Sequence, residues 1–239
     1  MSPLTGANLS ETDLIKSRYE KRKSAIGDDR YAYMNPSVYM AQQEKERALI
    51  SLLKAVGWRD VSTKRALEVG CGSGGNLQML MRLGFDPGNL VGNELLLDRY
   101  ESARRSLPAV TNLVLGDASK LDLPDASFDM VMQSTVFTSI MDDAFQQQLA
   151  DSMWRLVKPG GGVLWYDFTF NNPSNSDVRG VRLSRVKELF PGAKCLHRRV
   201  SLAPPISRRV CKLHPQLYTV FNSIFILRTH ILCWLEKPV

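Results

Sequence analysis

The sequence has few cysteines and histidines, and their spacing excludes the common metal and disulfide frameworks. Its 239 residues include four Cys and three His. The cysteines form no Cys-x-x-Cys pair and have no zinc-finger spacing with the histidines; they are Cys71, Cys195, Cys211 and Cys233. We therefore predict reduced thiols in a cytoplasmic protein that has no metal site.

Long apolar runs are also missing. The first 23 residues are polar and charged and contain no apolar core of a secretion signal. The longest apolar stretch, residues 220–235, is interrupted by Arg228 and His230, and neither side is long enough to span a bilayer. We therefore expect a cytoplasmic protein that is at most peripheral at the membrane surface.

Acidic residues are scarce in the last quarter of the chain. Residues 177–239 hold 12 Lys and Arg against 3 Asp and Glu, a net charge of +9. The whole chain carries +7, so the remainder has a net charge of −2. A solvated basic face explains this excess as well as an anionic partner does. Such a partner would be a phosphorylated substrate, an acidic lipid surface or nucleic acid.

The composition suits one domain with a full core. Apolar residues make up 44% of the chain and charged residues 23%, as in ordinary globular proteins. We predict a leader over residues 1–35 and one domain over residues 36–239. The leader is rich in tyrosine, and we expect it to dock loosely or to close over a cleft as a lid. Tyr31 and Tyr33 are therefore candidate substrate contacts.

From residue 66 onward, short apolar runs alternate with helix-length segments. The predicted strands are 66–69, 90–94, 112–117, 128–134, 163–168, 195–202 and 229–235. The predicted helices are 37–56, with residues 42–47 facing solvent, then 76–83, 95–107, 143–157, 183–190 and 214–225. Residues 158–162 are predicted as a turn. Strands joined by helices form a mostly parallel sheet with helices on both faces. We predict a seven-stranded, three-layer α/β sandwich with an antiparallel last strand and an inserted helix at about residues 205–227.

The most informative stretch is a strand followed by three glycines at every second position. Residues 66–69 are apolar apart from Glu68, and Gly70, Gly72 and Gly74 follow. Glycine permits positive φ and close approach of the backbone to a ligand. The helix that follows offers unpaired N–H groups and a partial positive charge. The segment therefore predicts a binding turn, although its match to the dinucleotide fingerprint is weak by itself.

Four motifs in order resemble those of the class I S-adenosylmethionine-dependent methyltransferases. They are residues 67–74, the acid Glu94, Gly116-Asp117-Ala118 and residues 156–161. The resemblance implies a Rossmann-like fold with S-adenosylmethionine as cofactor and S-adenosylhomocysteine as product. It also implies which residues touch the cofactor. These are Glu68, Gly70, Cys71, Gly72, Gly74, Asn76, Glu94, Leu95, Asp117, Ala118, Gln133 and Ser134.

The same resemblance assigns roles to several of these residues. The glycines would pass under the methionine part of the cofactor, and Glu68 would help to hold its ammonium group. Glu94 would accept hydrogen bonds from the ribose diol. Asp117 would accept from the adenine amino group, while the Ala118 N–H donates to the ring. Cys71 is interpreted as a small filler between glycines, not as a nucleophile.

The acceptor is less well defined. The segment after the fourth strand, residues 133–137, lacks the Asn/Asp-Pro-Pro-Tyr/Phe signature of enzymes that methylate base amines. Asp167 either acts as a general base or caps the following loop. Its separation from Asn171 and Asn172 disfavours a metal-dependent site. The candidate acceptor contacts are Tyr31, Tyr33, Phe137, Thr138, Asn171, Asn172 and Arg179.

We predict metal-independent O-methylation of a small-molecule or sugar hydroxyl, and the expected partner is a small-molecule, sugar or lipid-linked acceptor. A weaker resemblance to methyltransferases of bacterial glycan and glycolipid assembly favours a sugar hydroxyl. It is carried by Asp167-Phe168, Asn172-Pro173 and residues 177–180. The alternatives are C-methylation of a quinone or isoprenoid lipid, and an RNA-binding protein that uses the basic C-terminal face. The absence of a recognisable RNA-binding module makes nucleic acid the weakest partner.

Overall fold

A seven-stranded sheet forms the centre of the molecule. The computed structural model describes residues 10–25, 32–171 and 175–239. The strands are β1 (Ala66–Val69), β2 (Leu90–Glu94), β3 (Asn112–Leu115), β4 (Phe128–Ser134), β5 (Val157–Phe168), β6 (Lys194–Leu202) and β7 (Arg228–Glu236). Their order is β3-β2-β1-β4-β5-β7-β6, and β7 runs antiparallel to both of its neighbours. The predicted fold is therefore confirmed.

Eight α-helices accompany this sheet in the described ranges. They are α1 (Glu11–Ala25), α2 (Pro36–Ala55), α3 (Gly75–Arg82), α4 (Leu97–Ser106), α5 (Asp143–Leu156), α6 (Leu183–Leu189), α7 (Pro204–Leu213) and α8 (Leu217–Asn222). One core lies between the sheet and α1, α5 and α6, and a second lies between the sheet and α2, α3 and α4. Central β1 is buried on both faces, as expected for a parallel strand covered by helices.

A smaller third core joins α2 to the C-terminal helices. Met40 packs there with Leu202, Val210 and Tyr218. The predicted helix 214–225 corresponds to the shorter α8, and the sequence did not indicate α7, which precedes it and ends before Pro215. Two prolines fit the first turn of α7, where their missing N–H groups cost no helical hydrogen bond. His214 consequently follows a helix and does not open one.

The predicted turn at residues 158–162 belongs to β5. The Gly160 N–H donates to the Lys237 carbonyl at 2.9 Å, and the Lys237 N–H donates to the Gly161 carbonyl at 2.8 Å. The glycines serve packing as well, since a Cβ on Gly162 would meet the Trp234 ring at 2.4 Å. The glycine run that was predicted as a turn is therefore part of a strand, and Trp234 packs on its backbone at Gly162.

Two further expectations change at the N-terminal side. Residues 42–47 were expected to face solvent, but Lys45 is only 7% exposed and points toward the start of α3. The predicted leader contains a regular helix, α1, which buries Ile15 against the core. Tyr31 lies outside the described residues, and the lid role of the leader stays a prediction.

Candidate active site

The turn after β1 has the left-handed backbone that its glycines were expected to allow. The φ angles are +67° at Gly70, +59° at Gly72 and +89° at Gly74. A Cβ on Gly70 would lie 2.6 Å from Val136, whereas a Cβ on Gly72 would meet no described atom within 4 Å. The turn therefore needs glycine for its conformation, and open space faces Gly72.

Glu94, the last residue of β2, braces this turn. One carboxylate oxygen accepts the Gly72 N–H at 2.8 Å. The other accepts the N–H groups of Leu95 and Leu96, both at 2.9 Å. Such charge-assisted bonds are stronger than neutral ones, so one carboxylate fixes the turn and the start of α4 together. Further along the same edge, Asp117 accepts the Ser119 N–H at 2.9 Å.

Glu68 belongs to a buried polar chain that links three elements. Its Oε1 accepts a hydrogen bond from Asn76 Nδ2 at 2.6 Å, and Asn76 Oδ1 accepts one from Lys45 Nζ at 2.8 Å. Within the described part of the chain, Glu68 Oε2 has no hydrogen-bond partner. Burial raises the pKa of Glu68 to about 7, and burial lowers the pKa of Lys45 to about 8. The motif indicated Glu68 and Asn76, but no pattern indicated Lys45.

A cleft of about 120 Å³ lies at the carboxyl ends of β1, β2 and β4. Six of the predicted cofactor residues line it: Gly70, Glu94, Leu95, Asp117, Ala118 and Ser134. The sequence did not indicate Arg99, nor Thr135, which holds a φ of +60° at the end of β4. Such strained residues are typical of functional sites. The carboxyl edge of a parallel sheet is also where ligands bind in this architecture.

Helix α1 forms the outer wall of this cleft through Thr12, Ile15 and Tyr19. The Arg18 guanidinium donates to the Ser139 carbonyl at 2.9 Å, and the Arg99 guanidinium lies 4.5 Å from the Tyr19 ring centre. At about 120 Å³ the cleft is smaller than ordinary ligand pockets, which start at roughly 300 Å³. Helix α1 therefore takes up part of the space in front of the glycine turn.

The other predicted cofactor residues lie behind or beside the cleft. Gln133 is fully buried, and its Oε1 accepts the Val136 N–H at 3.0 Å. Cys71 is buried in the core on the α3 side, where loss of solvation raises the pKa of its thiol. That environment agrees with a filler and disagrees with a nucleophile, because the thiolate is the reactive form.

Asp167 is placed to hold a loop. Its carboxylate is fully buried and accepts the Thr138 N–H at 3.3 Å and the Phe168 N–H at 3.1 Å. Burial raises its pKa to about 7. It does not line the cofactor cleft. Of the two predicted roles, the geometry matches the capping one.

Phe137 and Thr138 were predicted as acceptor contacts, and the structure places both in the interior. Both side chains are buried, and the Phe137 ring packs on Trp165 with 4.5 Å between ring centres. Tyr33 is 54% exposed and packs edge-on against Tyr39. Asn172 lies outside the described residues.

The remaining acceptor candidates, Asn171 and Arg179, line a second and larger cavity of about 900 Å³. It lies beyond the end of β5, and none of the described residues lines both cavities. The Arg179 guanidinium pairs with Asp143. Five arginines reach this cavity, namely Arg179, Arg182, Arg185, Arg198 and Arg199. Asp143 and Glu188 line it as well, so the cavity wall is basic overall but contains two acids.

Residues 10–25, 32–171 and 175–239 contain neither a candidate metal cluster nor a helix suited to span a membrane. In these ranges no three His, Cys, Asp or Glu side chains form a group that could hold a metal ion. No helix there combines the length and the apolar character needed to cross a membrane.

The glycine turn, the two acids after β2 and β3, and the reversed β7 define a class I S-adenosylmethionine-dependent methyltransferase. The chain belongs to this family. Residues 67–165 match a methyltransferase domain family. A phthiotriol/phenolphthiotriol dimycocerosates methyltransferase of Mycobacterium ulcerans is 36% identical over 204 residues, covering 76% of this chain and 72% of that protein.

The chain is also similar to a second sequence relative and to a solved structure. A fatty-acid O-methyltransferase of Mycolicibacterium smegmatis is 38% identical over 109 residues, covering 45% of this chain but only 38% of that protein. A methyltransferase structure from Methanosarcina mazei is similar with a TM-score of 0.54 at 13% identity, covering 79% of this chain and 98% of that one. The second similarity concerns the fold alone. The cofactor of the family is S-adenosylmethionine, as the sequence predicted.

The described residues suit this cofactor. Glu68 Oε2 is a buried carboxylate oxygen that lacks a donor, and the ammonium group of the methionine part is a donor. Open space faces Gly72, and Glu94 lies in the cleft wall. A carboxylate keeps free lone pairs for a diol after accepting backbone N–H groups, because it can accept about four hydrogen bonds.

Proposed function

We propose that this protein transfers the methyl group of S-adenosylmethionine to a hydroxyl of a lipid or lipid-linked acceptor. The observation that carries the transfer is the cofactor cleft, with its glycine turn braced by Glu94 and the unpaired oxygen of Glu68. The bound cofactor supplies an activated methyl group on a sulfonium. The protein's own contribution is therefore positioning and exclusion of water.

In this proposal each part of the cofactor has a holder. Glu68, fixed by Asn76, receives the ammonium group, and the turn from Gly70 to Gly74 lies against the methionine chain. Glu94 accepts from the ribose, and Asp117 with Ala118 lies at the adenine end. Helix α1 covers the cleft from outside, which would reduce hydrolytic side reactions by keeping water away.

Two observations support a lipid acceptor. Both curated relatives named above carry lipid acceptors in their names, a fatty acid and a phthiotriol dimycocerosate. The larger cavity combines aromatic and aliphatic walls with arginines: Phe170, Phe225 and Ile231 lie beside Arg198 and Arg199. Such a wall suits an amphiphile whose polar or anionic part meets the guanidinium groups.

The acceptor atom is proposed as oxygen, in line with the missing base-amine signature after β4. The hydroxyl must lose a proton during the transfer. We assign no described side chain as the general base, because the Asp167 carboxylate is buried and accepts the Thr138 N–H. C-methylation of a quinone-type lipid and methylation of RNA remain the competing functions.

The test is a transfer assay with methyl-labelled S-adenosylmethionine and a panel of acceptors. The panel contains long-chain fatty acids, long-chain alcohols and diols, glycolipids, a quinone precursor and total RNA. We expect labelled lipid whose mass and fragmentation place the methyl group on oxygen, and no label with Glu94→Ala. Label on a ring carbon or in RNA would replace the proposal by one of its competitors. Cofactor binding without transfer to any member would remove the lipid assignment.

A further inference from the structure

The C-terminal helices carry an exposed apolar surface that no core uses. It consists of Val220 on α8 and Ile224, Phe225 and Ile226 directly after it, and we call these four residues the apolar tip. Phe225 is 59% exposed and Ile226 is 77% exposed. Three consecutive exposed apolar residues are unlike single surface hydrophobes, which are common and need no explanation.

The tip belongs to a basic segment of the chain, and the Arg199 guanidinium lies 5.2 Å from the centre of the Phe225 ring. Residues 189–235 contain seven Lys and Arg and not one Asp or Glu. On α7, Arg209 and Lys212 are exposed, and Leu213 beside them is 81% exposed. The segment that contains the apolar tip thus holds seven of the 12 basic residues of the C-terminal quarter and none of its three acids.

The tip also borders the large cavity. The Arg199 guanidinium lies between two aromatic rings, 5.5 Å from the centre of Phe170 and 5.2 Å from that of Phe225. Phe170 follows β5 by two residues, and the Thr169 N–H donates to the Thr229 carbonyl at 2.9 Å, joining this loop to the start of β7. Phe225 therefore belongs both to the tip and to the wall of the large cavity.

We infer that the apolar tip and the basic residues around it dock on an anionic lipid bilayer. Apolar side chains enter the boundary between headgroups and acyl chains, while Lys and Arg are attracted to anionic headgroups. A second copy of this chain fits poorly, because a symmetric contact would bring two basic surfaces together without acids between them. RNA is a poorer partner for this surface. It is bound through charge and aromatic stacking, so it would not explain the exposed isoleucines.

This surface deepens the proposed function, on which the link to the acceptor rests. A bilayer at the tip would lie next to the cavity that Phe170 and Phe225 line. A lipid acceptor could then enter the cavity without crossing water. Docking itself, however, needs only the tip and its charges and can be measured separately from methyl transfer.

The test is co-sedimentation with vesicles, using the full chain. One vesicle set contains phosphatidylcholine with phosphatidylglycerol, and the other contains phosphatidylcholine alone. We expect binding to the anionic set that weakens as salt is raised, because exposed charges are screened. We expect Ile224→Ser/Ile226→Ser to weaken the apparent affinity about tenfold, since two large apolar contacts are lost. Arg209→Glu/Lys212→Glu should weaken it by a similar factor.

Matched controls lie at the opposite edge of the sheet. Val110→Ser removes an exposed apolar side chain and Arg104→Glu/Arg105→Glu reverses two exposed charges, so neither should change vesicle binding. Calorimetry with S-adenosylmethionine checks that each variant keeps its fold, and all should bind it like the wild type.

Several outcomes would overturn the inference. These are no binding of the wild type to anionic vesicles, equal binding to both vesicle sets, or equal losses in the tip and control variants. A dimer in solution that Ile224→Ser/Ile226→Ser dissociates would assign the tip to self-association instead, and RNA binding that the same variant abolishes would assign it to RNA. If docking holds but no lipid is methylated, the proposed function fails alone; if lipid is methylated without docking, the inference fails alone.

Discussion

The two halves of the sheet's carboxyl edge are built in different ways. From β1 to β4 the site consists of backbone groups and short acids, with Glu94 tying Gly72 to the start of α4. From β5 to β7 the large cavity is lined by long side chains, such as Arg179 on the loop before α6 and Arg199 on β6. The first half is specified by local sequence and suits one fixed cofactor. The second half depends on packing between distant segments and can vary with the acceptor.

The sharpest test of this contrast is Glu94→Ala. Three backbone N–H groups lose their acceptor, and each buried unsatisfied group costs about 1–3 kcal/mol. We expect binding of S-adenosylmethionine to weaken at least about 100-fold, by loss of the ribose contact and loosening of the turn. Isothermal calorimetry measures the effect. The nearby exposed acid Glu101 is the control, and Glu101→Ala should bind normally; near-normal binding by Glu94→Ala would refute the site.

The same contrast explains which features of the site could be predicted from the sequence. Residues 67–74 carry their geometry in their own spacing, because glycine is required at Gly70, where φ is +67° and Val136 is close. Lys45 could not be foreseen: it lies in a charged run, and only the packing of α2 onto α3 turns it inward. Asp167 lies at the end of a predicted strand as expected. Sequence does not reveal that the Thr138 N–H, 29 residues earlier in the chain, donates to its carboxylate.

A second test concerns charge at the inner end of the cofactor cleft. Because the pKa of Glu68 is raised to about 7, the side chain is largely protonated below that pH. Affinity for S-adenosylmethionine should therefore rise between pH 6 and pH 8 by about tenfold, as the carboxylate forms. Glu68→Gln should bind about tenfold more weakly at pH 8 and lose this pH dependence. A wild-type affinity that is flat across this range would contradict the role of Glu68.

The raised pKa of Glu68 also predicts how the stability of the cofactor-free protein depends on pH. Its pKa in the folded protein, about 7, lies above the ordinary value of 4.5, so the folded state binds more protons between these values. The free energy of unfolding contributed by Glu68 therefore falls as pH rises from about 4.5 to 7. Urea denaturation measures the free energy of unfolding. Between pH 5 and pH 8 this free energy should rise for Glu68→Gln relative to the wild type, by on the order of 1–3 kcal/mol. Lys45→Met/Glu68→Gln is the matched variant that leaves no buried cation behind.

Asp167 tests the other half of the edge. As a positioning residue it holds Thr138, so Asp167→Asn should lower the melting temperature and reduce kcat less than about tenfold. The pH profile of kcat should keep its shape. A general base would instead give a loss of about 10²–10⁴ in kcat and remove an acidic limb from the profile. That result would restore the assignment of Asp167 as the base.

Helix α1 lines the cofactor cleft but not the large cavity. Tyr19 lines the cleft and stacks under Arg99, so Tyr19→Ala should speed cofactor dissociation about threefold to tenfold. Stopped-flow displacement measures this rate. Leu14, on the exposed side of the same helix, is the control, and Leu14→Ala should leave the rate unchanged. Equal rates in the two variants would remove α1 as a lid.

The smallest effect is expected at Cys71, in the middle of the glycine turn. Its neighbours Gly70 and Gly72 are needed for their backbone, whereas its thiol is buried against the core and its pKa is raised by loss of solvation. Cys71→Ala removes one buried sulfur and should cost about 1 kcal/mol of stability, with kcat/KM within about twofold of the wild type. Thermal melts and the transfer assay measure both quantities. A loss of activity beyond the loss of folded protein would mean that the thiol itself reaches the cofactor, and the cofactor half would then depend on side-chain chemistry that its backbone does not supply.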